Sequence, residues 1–98
     1  MEEIIKPYFK YPNYLVSNLG YVKNSKGQIL KGSRNENGYQ RIAFWKNGRS
    51  EYYYLHRVIL ETFLPCENMN KLEVNHIDGN KNNNCLSNLE WVTSAENS

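Results

Sequence analysis

The sequence predicts an α+β fold in one domain covering residues 1–98. It has a small antiparallel, strand-rich part over 1–54, one amphipathic helix over 55–64, and a C-terminal strand–loop–strand unit over 72–98 that stops as another helix begins. Three observations predict it. Short strand-length runs separated by turn residues fill the first half. Apolar residues then recur at helical spacing in LHRVILETFLP. Last, a long polar loop rich in asparagine is followed by the capping pattern Thr93-Ser-Ala-Glu96.

Each element has a local reason. Residues 14–16 (YLV) run into Ser-Asn-Leu-Gly20, a turn composition, and Tyr21-Val22 restarts an extended segment. Gly27 breaks the chain again before Gln28-Ile-Leu30. YQRIAFWK at 39–46 alternates, with Ile42 and Phe44 on one face and Arg41 and Trp45 on the other, as in a half-buried strand. Asn47-Gly48 is the strongest hairpin signal in the chain and leads into Glu51-Tyr-Tyr-Tyr54. Leu55, Val58, Ile59 and Phe63 then form a helical stripe that Pro65 closes, with His56 just off it. Leu72-Glu-Val74 is short and extended, Asp78-Gly79 opens the polar loop, and 86–92 is extended again with Leu89 and Trp91 turned inward.

Composition narrows the class. Ninety-eight residues suffice for one modest core. A 40% hydrophobic, 13% aromatic chain is not a disordered one. The apolar runs are too short to span a bilayer, and MEEIIKPYF lacks the features of a signal peptide, so a cytoplasmic setting is expected. Cys66 and Cys85 could form at most one bridge and fall short of a structural zinc set; in a cytoplasmic chain they are expected as reduced thiols. The net charge of +2 is unevenly spread. Residues 1–50 carry nine Lys/Arg against three Glu, and 51–98 carry three against seven Asp/Glu. A basic half joined to an acidic one suits a polyanion partner; a solvated surface would explain the imbalance equally well.

The chemistry concentrates in VNHIDGNKNNNCLSNLEWVTSAENS, 74–98. His76 stands at a strand end before a loop, where a neutral imidazole can act as a general base or simply hydrogen-bond the loop. Asn75 precedes it and points to the other strand face. Asn97 falls four residues beyond the Thr93 cap, on the first turn of the expected helix. Amide oxygens are hard, neutral ligands suited to Mg²⁺, Mn²⁺ or Ca²⁺, not zinc. Asn88 can brace the loop or His76 with its carboxamide.

At these residues the chain resembles the HNH, or ββα-metal, nucleases, and its flanks are similar to the small phage-type homing endonucleases. The blocks YLVSNLGYVKN, NGYQRIAFWKNG, LHRVILETF, VNHIDGNKNNNCLSNLEWVT and the final AEN stand in that family's order and cover nearly the whole chain. The resemblance implies a C-terminal ββα-metal motif with a truncated last helix. It implies His76 as general base, Asn88 as the central asparagine that holds the loop and orients the base, and Asn75 with Asn97 as ligands of one divalent ion, Mg²⁺ or Mn²⁺. Some relatives carry aspartate where Asn75 stands, so this metal site lacks a formal charge. His56 matches a helix histidine with either a supporting role or a phosphate contact.

The implied activity is metal-dependent hydrolysis of phosphodiester bonds in double-stranded DNA, nicking one strand, by a monomer or weak homodimer in a bacterial or phage-infected cell. Lys23, Lys26, Lys31, Arg34, Arg41, Lys46 and Arg49 are expected to contact DNA from the basic half. No membrane partner is expected. A competing reading is a nuclease-derived DNA-binding module that cuts weakly or not at all. It draws on the short final helix, which is not stable by itself.

Overall fold

The computed structural model describes residues 2–96. Two three-stranded antiparallel sheets make the first half. β1 (Ile5–Pro7), β2 (Leu15–Ser17) and β3 (Tyr21–Lys23) pair in chain order, and so do β4 (Ser33–Arg34), β5 (Gln40–Lys46) and β6 (Arg49–Tyr54). The β5–β6 hairpin closes at Asn47-Gly48, with φ of 52° and 78°. Two positive values in succession give the twist that matches flanking strands, which is why this dipeptide is favoured there. The expected strand at 28–30 is only an isolated bridge between Lys23 and Ile29.

Alternation along β5 places Ile42 and Phe44 in the core and leaves Trp45 exposed. Of the three consecutive tyrosines, only Tyr53 turns inward. It joins Tyr8, Tyr11, Tyr14 and Phe44 in a cluster with ring centroids 4.7–6.5 Å apart. Offset and edge-on ring pairs at such distances add to the stabilisation from area burial alone.

The helix α1 (Leu55–Phe63) runs through the middle of the molecule and touches strands of all three sheets. It buries Leu55, Val58, Ile59 and Leu60. Tyr54 at its N-cap offers no side-chain bond, so burial holds this helix in place of capping. Its buried Glu61 is satisfied twice: Tyr8 donates its hydroxyl at 2.7 Å and Arg57 Nε lies 3.2 Å away. Arg57 also donates to the carbonyls of Leu72 and Met69, tying α1 to the segment that leads into the last sheet.

That sheet pairs β7 (Glu73–His76) with β8 (Leu89–Val92), setting His76 opposite Leu89. The extended run expected over 86–92 is shortened, because Leu86–Asn88 form a 3₁₀ turn. The loop draws Asn88 inward there, and the chain cannot extend until Leu89. Trp91 donates its indole N–H to the Leu64 carbonyl at 2.7 Å. The capping box forms reciprocally: Thr93 N–H donates to Glu96 at 3.1 Å and Glu96 N–H to Thr93 Oγ1 at 3.2 Å. Residues 94–96 are a turn, and Asn97 lies outside the described residues. Cys66 and Cys85 are both free. Among the described residues no helix is long and apolar enough to cross a membrane.

Candidate active site

Strand alternation in β7 sends Val74 and His76 inward and Asn75 outward. His76 is only 6% exposed. Its ring centroid lies 5.0 Å from that of His56 and 5.9 Å from that of Tyr39, and its Nε2 is 2.8 Å from Asn84 Oδ1. His56, on the first turn of α1, also packs against Tyr39 and Tyr54. Burial, then the neighbouring His76 and Arg57, push the His56 imidazole down to about 4, so it is neutral at cellular pH. A cleft of about 260 Å³ opens beside His56, lined also by Asn35, Asn37, Tyr39 and Tyr54, among others.

The loop after His76 is held by its own amides, with Asp78 at the centre. Asn88 accepts from the Asp78 N–H at 3.0 Å and donates to Asp78 Oδ1 and to the Asn83 carbonyl, both at 2.9 Å. Asn83 and the Asn80 N–H donate to the same carboxylate. These bonds, Asn83's foremost, hold the Asp78 carboxyl below its usual range. Asn88 therefore braces the loop. The amide that meets His76 is Asn84, buried and four residues earlier. Lys81 pins the loop tip to the first half, donating to the Asn37 carbonyl at 2.6 Å with its ammonium 4.6 Å from the Tyr39 ring centroid. No local sequence signal separated Asn84 from the run of asparagines around it, and nothing pointed to Tyr39 or Lys81.

Asn75 faces Glu90 across the sheet and donates to its carboxylate at 3.0 Å. An amide oxygen and a carboxylate side by side are hard donors, as a divalent cation such as Mg²⁺ requires. Among the described residues there is no group of three or more His, Cys, Asp or Glu able to hold a metal. The structure brings Asn84, His56 and Tyr39 to His76, and sets Asn75 on the opposite face.

The basic residues scatter over the first half. Lys26, Lys31, Arg34, Lys46 and Arg49 are exposed, and Lys46 and Arg49 pair across the β5–β6 hairpin tip. Arg34 donates to the Gly38 carbonyl. Lys23 is half-buried beside Tyr21. Arg41 is half-buried too. Its guanidinium lies 5.2 Å from the Tyr52 ring centroid, and its buried Nε has no partner among the described residues.

A histidine at the end of a two-stranded ribbon, on a loop braced by a central asparagine, is the framework of an HNH unit, and residues 53–98 match the family model described as HNH endonuclease. Residues 53–98 thus form a domain of the HNH endonuclease family. Among curated proteins it is 42% identical over 83 residues to DNA endonuclease I-HmuI of Bacillus phage SP01, covering 83% of this chain and 47% of that protein. It is 33% identical over 89 residues to H-N-H endonuclease F-TflII of Escherichia phage T5, covering 89% of this chain and 46% of that protein. A solved structure of DNA binding and cleavage by the HNH homing endonuclease I-HmuI superposes with a TM-score of 0.85 at 37% identity, over 99% of this chain and 55% of that one. The chain thus spans about half the length, or less, of the curated relatives it matches.

Proposed function

We propose that the chain is a metal-dependent DNA endonuclease of the homing type that hydrolyses phosphodiester bonds and nicks one strand of double-stranded DNA. The observation that carries this reading is His76 at the head of the amide-braced loop, with one ring nitrogen engaged by Asn84 and a neutral His56 packed beside it. His76 takes a proton from water, and the water oxygen attacks phosphorus in line. The bond from phosphorus to the 3′ oxygen breaks, leaving 5′-phosphate and 3′-hydroxyl ends, and solvent returns a proton to the departing oxygen. A divalent ion, Mg²⁺ or Mn²⁺, supplies positive charge against the charge developing on the phosphate when it is bound. Asn75 would hold it, with Asn97 as the second amide, and Glu90 beside Asn75 would supply the acidic oxygen that the neutral amide lacks. Asn88 keeps the loop in shape. His56, neutral and packed on His76, supports the base in this reading.

Lys26, Lys31, Arg34, Lys46 and Arg49 supply DNA contacts from exposed positions, with Lys23 and Arg41 set deeper. The protein acts as a monomer or weak homodimer inside a bacterial or phage-infected cell, since one such site cuts one strand and a double-strand break needs two copies. A supercoiled-plasmid assay with Mg²⁺ or Mn²⁺ tests this. The wild-type chain should nick, and His76→Ala should lower the rate by about 10²- to 10⁴-fold with DNA binding retained. A His76→Ala variant cutting at the wild-type rate would overturn the assignment. Salt-sensitive binding with no metal-dependent nicks would show instead a DNA-binding module that has lost cleavage.

A further inference from the structure

An amide oxygen can only accept a hydrogen bond, so the 2.8 Å contact between Asn84 Oδ1 and His76 Nε2 puts the imidazole proton on Nε2. We infer that Asn84, clamped by the N-terminal turn at 17–20, fixes His76 as the Nε2–H tautomer and so makes Nδ1 the nitrogen that accepts a proton. The clamp lies outside the 53–98 segment that matches the nuclease family model.

The placement of Asn84 is built from far along the chain. Leu86 N–H donates to the Asn18 carbonyl at 2.9 Å, and Cys85 Sγ sits 3.6 Å from the same oxygen. Asn18 is itself buried and held on three sides: its N–H donates to the Ile4 carbonyl, its Oδ1 accepts from Ile4 N–H, and its Nδ2 donates to the Glu2 carbonyl. Two residues on, Gly20 has φ +108°, and a Cβ there would lie 3.0 Å from the Asn84 carbonyl carbon and 3.1 Å from its oxygen. Those are backbone atoms, which cannot swing aside as a flexible side chain would. From the other side, Asn88 holds the Asn83 carbonyl. Asn84 is therefore gripped on both flanks, and its side chain has one buried partner to meet. The role assigned to Asn84 is that of a positioning residue: it touches the base, not the substrate.

The test is ring-nitrogen NMR on the full chain, whose two histidines make assignment simple. A protonated and a lone-pair imidazole nitrogen resonate far apart, so the tautomer reads out directly with no DNA present. The wild-type His76 should show a protonated Nε2 and a lone pair on Nδ1; the reverse would overturn the inference. Asn84→Ala should release the tautomer to a mixture, and Asn84→Asp, which keeps an acceptor oxygen, should retain Nε2–H. Unchanged ring shifts in Asn84→Ala would count against the contact. Gly20→Ala should disturb the His76 ring nitrogens, whereas Gly27→Ala should not. Gly27 shares a positive φ of 81° but has nothing within 4 Å of its added Cβ. Equal responses at the two glycines would remove the clamp from the inference.

The kinetic arm rests on the proposed function: Asn84→Ala should lower kcat by about 10- to 100-fold with KM unchanged. An uncleaving chain whose His76 still carries the proton on Nε2 would refute the nuclease reading and leave the clamp standing.

Discussion

The aromatic side of the molecule and the asparagine loop are ordered by opposite means. In the cluster around Phe44, five rings from three separate segments (the 8–14 loop, β5 and β6) exclude water, and position follows from shape and area. Between His76 and Leu89 there is little apolar side chain to bury. There, amides and one carboxylate hold the backbone through directed bonds of 2.8–3.4 Å. Burial is strong and tolerant of small shifts; hydrogen bonds are weaker in net terms but fix direction. The proposed general base, His76, needs direction more than strength, and it is found on the second kind of scaffold.

Three substitutions or conditions should separate the two regions. The largest effect belongs to the aromatic side: Phe44→Ala should cost about 3–5 kcal/mol in global stability, measured by urea denaturation. A loss below about 1 kcal/mol would mean that the ring cluster is not what carries the fold.

Next comes His56, which sits where the two regions meet, facing Tyr39, Tyr54, His76 and the Arg57 cation. Its folded value of about 4 lies below the ordinary 6.5. The unfolded chain therefore takes up a proton that the folded chain refuses. Stability is complete above pH 6.5 and is lost as the pH falls toward 4, by up to about 3 kcal/mol. Denaturation midpoints across that window should show the slope, and His56→Gln should flatten it. A wild-type stability that is level from pH 7 to 4 would contradict the burial argument.

The smallest effect is Asn88→Ala, at about 1–3 kcal/mol for the partners it leaves unmet. It should speed amide hydrogen exchange at Asp78 more than in the β5–β6 hairpin, because the loop has no apolar packing to fall back on. Equal acceleration in both places would show that the loop and the core unfold as one unit.

Much of the architecture was legible because it is local. The Asn47-Gly48 hairpin, the alternation of Ile42 and Phe44, the helix through Leu55, Val58 and Ile59, and the Thr93–Glu96 capping bonds each depend on residues a few positions apart. The misreadings are also instructive. Leu86–Asn88 carry strand-like neighbours, yet the side-chain and backbone bonds of Asn88 to the loop curl them into a 3₁₀ turn. The single cross-bridge at Ile29 shows that a short extended run needs a partner strand of matching length to become a strand.

The sequence by itself determined the elements, the family motif and the candidate base, since periodicity, turn chemistry and caps are written in neighbouring residues. Only the tertiary structure decided which of the clustered asparagines meets His76. Asn84 and Asn88 have the same side chain in the same loop, and no local rule ranks them. What separates them is the docking of the loop against Asn18, 67 residues away from Cys85, and the bare backbone of Gly20 beside it. Contacts between distant segments are selected by the shape of the whole folded chain, so the partner of the histidine becomes visible only once the N-terminal sheet is in place.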